Sequence, residues 1–418
     1  MQYLLIVLDG APDRPVKELG NKTPLEHAGM KNLNSIAKRA KAGMMHTVGK
    51  GIAPESDAAV FSLLSYDLAH YTGRGPLEAL GAGLRIDSKT LAFRADFATI
   101  DKDRKVIDRR AGRDISIEEA KELEKEINSI RFDAKVRFKF KSTVGHRGVL
   151  IMRGEGLSPN ISNFDIGYVR KGNVSVAKSS YSLHLHKVVP LDGTKEAKYT
   201  AKLVNSFIDL AIQKLEASKV NKARKKRGRL EANALLLRDA GLGLPKVMPI
   251  SKKFGMKFAF IAEMPVETGI AKLLKMEPVK FATSHKPFTI AYYQDLAKAV
   301  IRSRQTCDFM YVHIKGPDEP GHDGNAVEKS RRLKLIDSGF FALLKDKMPK
   351  VVCVTSDHST PCSLKAHSAD PVPVVIYRQG EHGDGLSFTE QIDSKGSLGI
   401  FDGRELLNKM INNRGRLT

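Results

Sequence analysis

Cysteine is scarce in this chain: 418 residues carry three, Cys307, Cys353 and Cys362, an odd number with no C-x-x-C spacing. That argues against a disulfide framework and fits a reducing compartment. Cys353 lies in an apolar run, where a small buried side chain is its expected role. Long apolar runs are also missing. The opening YLLIVL (Tyr3–Leu8) is far too short to cross a bilayer, and it lacks the basic start and cleavage site of a signal peptide. The chain is therefore expected to be cytoplasmic, with no membrane partner. Acidic residues are the minority, 47 Asp and Glu against 69 Lys and Arg, for a formal charge of +22. Such a surface attracts polyanions, but no zinc-finger spacing, RNP-like aromatic strand or glycine-rich RNA loop accompanies it. Nucleic acid is thus not the expected partner. The dense run Lys222–Arg229 (KARKKRGR) reads as a solvated linker. Part of the remaining excess suits a small anionic substrate.

What is present is an ordinary globular composition, 42% hydrophobic and 28% charged, in a chain long enough for two domains. Three apolar runs, Tyr3–Leu8, Phe309–Ile314 and Val351–Thr355, have the pattern of strands buried on both faces. A fourth, Val372–Tyr377, follows Pro371. Helical stretches such as Leu33–Ala42 and Tyr292–Arg302 lie between them, so the fold class expected is α/β with a mainly parallel sheet. The middle of the chain differs. Ser116 and Glu119 form a capping box, and Ala120, Leu123, Ile127 and Ile130 follow at helical spacing. Val136, Phe138 and Phe140 alternate with charged residues as in a half-exposed strand, with Val149–Met152 as its partner. A second amphipathic helix carries Leu203, Phe207, Leu210 and Leu215. Residues 88–222 therefore read as an α+β domain inserted into a discontinuous core of residues 1–87 and 223–418, with the basic run as hinge.

Each of the three buried runs ends in a polar cluster containing an aspartate: Asp9, Asp318 and Asp357. Parallel α/β sheets collect ligands beyond the carboxyl ends of their strands. His322 follows Asp318 by four residues, His358 follows Asp357 directly, and His367 comes nine later. Carboxylate with imidazole is the ligand set of Mn²⁺, Zn²⁺ or Co²⁺, Mg²⁺ preferring oxygen alone. Ser56, in the small-residue turn of GIAPESDAAVFSLL, stands before a helix-like run. There a metal and helix-terminal amides could activate its hydroxyl as a nucleophile; alternatively Ser56 or Asp57 caps the helix.

Asp9 in LDG, PESDAA, YTGRGPLEALGAGL (Tyr71–Leu84), IDRRAGR (Ile107–Arg113), HIKGPDEPGHDG (His313–Gly324) and SDHSTPCSLKAHSADPVPV together resemble the archaeal cofactor-independent phosphoglycerate mutases, of the alkaline phosphatase superfamily. The resemblance runs in order through nearly the whole chain. It implies an alkaline-phosphatase-like core carrying two divalent metals, Mn²⁺ foremost with Mg²⁺, Co²⁺ or Zn²⁺ as alternatives, and no 2,3-bisphosphoglycerate. By motif position, Asp318, His322 and His367 would hold one ion, and Asp9, Ser56, Asp357 and His358 the other. Ser56 would be the phosphoacceptor, and the inserted domain would close to exclude water. Arg109, Arg110, Arg113, His146 and Arg147 would hold the phosphoglycerate, since the arginine fork matches phosphate and carboxylate; Arg74 is a further candidate.

Four positions depart from the family pattern. Glu55 replaces a glycine, Ser65 interrupts an LGYD segment, and Asn163–Gly167 (NFDIG) stands for a motif closer to DTDPH. Thr268 stands where a lysine neutralises charge near the nucleophile, leaving Lys272 or Lys315 to substitute. The rival readings are a metal-dependent phosphatase or another phosphomutase on this scaffold, a paralogue of weak turnover, and a nucleic-acid-binding protein with a vestigial core. The sequence sets no oligomeric state.

Overall fold

A computed structural model describes residues 1–411 apart from 133, 134, 179, 393 and 394. The chain divides into two compact units, one of Met1–His70, Val247–Glu263 and Leu274–Thr418, the other of Tyr71–Lys246 and Met264–Leu273. The second unit is wider than the segment 88–222 expected from sequence, and it takes in a short piece from beyond residue 246.

The first unit is built on an eight-stranded sheet. In spatial order its strands are Glu277–Pro278, Phe258–Ile261, Phe309–Ile314, Tyr3–Leu8, Val351–Thr355, Val372–Arg378, Lys41–His46 and Gly399–Asp402. Only Val372–Arg378 runs against its neighbours. The mainly parallel α/β expectation therefore holds. The three apolar runs lie side by side at its centre, which is why they show no alternation: both faces are covered. Register then does the positioning. Leu8 pairs with Ile314 and Val7 with Thr355, so all three chains leave the sheet at the same edge.

One local expectation fails. The helix predicted over Leu33–Ala42 covers Lys31–Ala37, and the chain re-enters the sheet at Lys41. Pairing of Lys41–Met45 with Val372–Ile376 overrides the apolar spacing there.

The second unit is α+β. The Thr90–Ile100 strand, buried along its whole length, is flanked by antiparallel partners Arg147–Arg153 and Ala234–Leu242. Arg137–Ser142 pairs with Arg147–Arg153 as the alternation predicted. Helix Ile117–Asn128 starts at the Ser116–Glu119 capping box, and helix Lys195–Glu216 buries Leu203, Phe207 and Leu215. The basic run is not a linker. It begins as helix Lys219–Lys226, whose Arg224 is fully buried and pairs with Asp114 and Glu119. Among the described residues, no helix is long and apolar enough to cross a membrane.

Candidate active site

Beyond the common strand edge of the first unit, two groups of donors converge. In one, Asp318 Oδ1 lies 3.5 Å from both His322 Nε2 and His367 Nε2, which are 3.1 Å apart. In the other, His358 Nε2 is 3.2 Å from Asp357 Oδ2, 3.7 Å from Asp9 Oδ1 and 3.0 Å from Ser56 Oγ. Two donors held at about 2.1 Å by one tetrahedral ion stand about 3.4 Å apart, so both groups have the spacing of ligand sets. All seven residues that the motifs nominated are here.

The hydrogen bonds behind the ligands set which atom each presents. His322 Nδ1 lies 3.1 Å from the Lys365 carbonyl, and His367 Nδ1 lies 2.8 Å from the Pro54 carbonyl. A carbonyl only accepts, so both Nδ1 atoms carry a proton and both Nε2 atoms face inward. A divalent cation there would displace the proton between them and take both Nε2 lone pairs. Asp357 Oδ1 accepts from the Gly10 and His358 amides, which turns Oδ2 inward. Among the described residues, Asp9 Oδ1 and Asp357 Oδ2 are buried without a hydrogen bond, and a divalent ion would supply the missing partner to both. The residues therefore fit two divalent ions.

Thr360 links the halves. Its hydroxyl donates to Asp318 Oδ1 at 2.8 Å and accepts from His358 Nδ1 at 3.0 Å, which places the His358 proton on Nδ1 and leaves Nε2 an acceptor facing Ser56. His358 also stacks on His367, ring centroids 3.7 Å apart. Gly10 takes φ +58°, and a Cβ there would lie 2.7 Å from Asp318 Oδ1, so the turn after the first strand admits only glycine. Burial opposes charge on His367, yet Asp318 and Glu55 hold its pKa up to about 9 in the metal-free chain. Burial likewise opposes ionisation of Asp9, but the Lys315 ammonium, 3.1 Å from Oδ2, keeps its carboxyl well below the usual range.

Ser56 is the first residue of helix Ser56–Leu63, and Glu55 occupies the cap position with no side-chain capping bond. The serine is thus not the cap. Of the two lysines offered in place of Thr268, Lys315 stands at Asp9, whereas Lys272 points its ammonium at the Gly81 carbonyl, 3.3 Å away in the second unit. Sequence reasoning missed His313, whose Nε2 lies 3.6 Å from Asp9 Oδ1 and 3.5 Å from Asp357 Oδ2. The available signal was its place as the one histidine in the apolar run FMYVHI. Thr360 gave no comparable signal.

The nominated substrate residues lie in the second unit and are unequally available. Arg109 is spent on Asp165, with its fork bidentate at 2.8–3.0 Å. Arg74 pairs with Glu78 at 3.1 Å within its own helix. Arg110 and Arg113 flank a turn in which Asp108 accepts the Arg110 and Gly112 amides, with Ala111, Gly112 and Arg113 all at positive φ. Arg147 differs. Among the described residues its Nε has no hydrogen bond, and its Nη1 lies 3.7 Å from the Met264 sulfur. Burial pushes its pKa down, and Arg94 and Arg74 add to that. Burial, with Arg147, Arg94 and Arg113, also lowers His146 to about 4, so its ring is neutral at pH 7.

The model of the 2,3-bisphosphoglycerate-independent phosphoglycerate mutase family matches residues 37–221. An Aeropyrum pernix protein of that name is 41% identical, covering 98% of this chain and 99% of the relative. One from Methanocaldococcus jannaschii is 37% identical, over 99% and 97%. Among solved structures, a Pyrococcus horikoshii protein superposes with TM-score 0.77 at 27% identity, over 100% of this chain and 98% of that one. The cofactor-independent phosphoglycerate mutase of Thermoplasma acidophilum gives 0.60 at 33%, over 99% and 100%. Identity at this level, sustained from end to end, leaves no segment of the fold outside the likeness, and the chain belongs to the 2,3-bisphosphoglycerate-independent phosphoglycerate mutase family.

Proposed function

We propose that the protein interconverts 3-phosphoglycerate and 2-phosphoglycerate in the cytoplasm, through a phosphoserine at Ser56 and without 2,3-bisphosphoglycerate. The observation that carries this reading is the Ser56 hydroxyl 3.0 Å from His358 Nε2, at the edge of one donor group and joined through His358 and Thr360 to the other. Asp318, His322 and His367 would hold one divalent ion and Asp9, Ser56, Asp357 and His358 a second, Mn²⁺ foremost. When bound, these ions supply positive charge that lowers the serine hydroxyl pKa and offsets charge on the phosphoryl group.

The chain's own groups do the rest. Ser56 Oγ attacks phosphorus, the bond to the glycerate oxygen breaks, and phosphoserine and glycerate result. The glycerate 2-hydroxyl then attacks phosphoserine and restores Ser56. Lys315, held on Asp9, adds a fixed positive charge in the place of the lysine missing at Thr268. Arg147 suits the substrate carboxylate because its guanidinium is buried and its Nε has no hydrogen bond among the described residues, Asp96 and Glu78 offsetting only part of the burial. Arg110, Arg113 and neutral His146 complete that anion site. Arg109 supports it from behind by ordering Asp165 and the Gly167 amide.

The test is a coupled assay with 3-phosphoglycerate and Mn²⁺ or Co²⁺, without 2,3-bisphosphoglycerate, following released phosphate in parallel. The parent should form 2-phosphoglycerate and Ser56→Ala should fall to background. Phosphate release without 2-phosphoglycerate would make the protein a phosphatase instead, and neither product would mark a paralogue of weak turnover.

A further inference from the structure

We propose that His313 is an additional ligand of the ion at Asp9 and Asp357, coordinating through Nε2, with Tyr311 selecting the tautomer. His313 lies on the Phe309–Ile314 strand, next to the first strand, and its side chain is fully buried. Its Nε2 stands nearly equidistant from Asp9 Oδ1, at 3.6 Å, and Asp357 Oδ2, at 3.5 Å. Those are the two carboxylate oxygens of the site that are buried without hydrogen bonds.

Two readings of this geometry compete. In one, Nε2 carries a proton and donates to the carboxylates from behind. Charge-assisted N–H···O bonds close to about 2.7–2.9 Å, and neither separation approaches that. In the other, Nε2 offers its lone pair to an ion that the oxygens share. The separations then match those in the companion group, where Asp318, His322 and His367 donors stand 3.1–3.5 Å apart. The opposite face of the ring supplies the second observation. Tyr311 Oη lies 2.7 Å from His313 Nδ1 in a buried contact. A phenol can accept as well as donate, so Nδ1–H directed at Tyr311 leaves Nε2 unprotonated. Carbonyls serve His322 and His367 in that way, and Thr360 serves His358. Every histidine of the site then presents Nε2 inward with Nδ1 anchored.

The consequence is an unequal pair. Asp9, Asp357, His358, His313 and Ser56 give one ion five protein donors, whereas Asp318, His322 and His367 give the other three. The five-donor ion is the firmly held one, and the three-donor ion keeps the open positions that substrate needs.

This inference rests on the two-ion reading above, and the test separates them. The full-length chain labelled with ¹⁵N-histidine is stripped of metal and titrated with Zn²⁺, a diamagnetic ion of the same ligand preference. Long-range ¹H–¹⁵N spectra report which ring nitrogens bind metal. Four rings should shift to metal-bound Nε2 with protonated Nδ1, and His313→Asn should leave three. Three shifted rings in the parent, with His313 holding a proton on Nε2, would overturn the role of His313 and leave the two-ion reading intact. No shifted rings would overturn both. Because the count is made on the parent, a variant that fails to fold does not blunt it. In calorimetric titrations, His313→Asn should lose about tenfold or more in affinity for one ion only. Tyr311→Phe should keep four bound rings while weakening the same ion.

Discussion

Thr360 is the smallest part of the site with the widest reach, since one hydroxyl touches a member of each donor group, Asp318 and His358. Thr360→Val keeps the shape and removes both bonds. Metal affinity should fall about 10–100-fold with secondary structure unchanged, as read by calorimetry and circular dichroism; unaltered binding would remove Thr360 from the site. Behind it sits Lys329, whose ammonium is fully buried and reaches Asp13 Oδ2, the Pro12 carbonyl and the Thr360 carbonyl at 2.8–3.0 Å. It ties the loop after Asp9 to the loop after His358. Lys329→Met strands the Asp13 carboxylate and should cost about 3–5 kcal/mol in urea unfolding; a loss under 1 kcal/mol would show that water reaches Asp13. The residues that gather at the strand edge were legible because Asp and His carry their chemistry in their identity. The groups that orient them were not, because the Pro54 and Lys365 carbonyls could belong to any residue. Arg109 shows the limit from the other side: its identity suits phosphate, but the hold of Asp165, 56 residues on, over its Nε and Nη2 could not be read from the sequence.

Elements place these residues through register and close approach. The strands Tyr3–Leu8, Phe309–Ile314 and Val351–Thr355 could be read from their unbroken apolar runs, and so could the common edge at which Asp9, Asp318 and Asp357 gather. The reversal of Val372–Arg378 could not, because an apolar run has no direction until its neighbours are known. The basic run misled for a similar reason. Composition alone suggests a solvated stretch, whereas Arg224 is turned inward by its place in a helix opposite Asp114 and Glu119. In the second unit, helices Arg74–Gly81 and Pro265–Leu273 cross at glycine. A Cβ at Gly269 would lie 1.8 Å from the Leu77 carbonyl oxygen. Gly269→Ala must push the helices apart, at about 1–3 kcal/mol, visible as a lower melting temperature. An unchanged melting temperature would mean the crossing is loose. Thr268, beside that crossing, shares its helix with Lys272, whose ammonium already donates to the Leu80 and Gly81 carbonyls at the end of helix Arg74–Gly81.

For the molecule as a whole, stability follows the carboxyls that folding displaces from their ordinary pKa. Burial pushes Glu390 up from 4.5 to about 7, despite its bonds from the Asp13 amide and Thr23 hydroxyl. A raised carboxyl stabilises the fold while protonated. Its contribution is complete below pH 4.5 and is lost as pH rises through about 7, a swing of at most roughly 3 kcal/mol. Glu390→Gln should flatten that slope in denaturant titrations between pH 5 and 8 (about the span of the shift); an unchanged slope would assign it elsewhere. Asp96 has the opposite sense. Burial opposes its charge, but Arg94 and Arg238 hold it at about 2, so its contribution is lost only as pH falls below 3.8 toward 2. The facing Nε2 atoms of His322 and His367 carry this further. Because only the fold brings those nitrogens together, the ion binds the native state alone, which couples its free concentration to the folding equilibrium. A hundredfold excess over the dissociation constant adds about 2.7 kcal/mol. A chelating buffer and a metal-containing one will therefore report two different melting temperatures for the same polypeptide, each correct for its own metal activity.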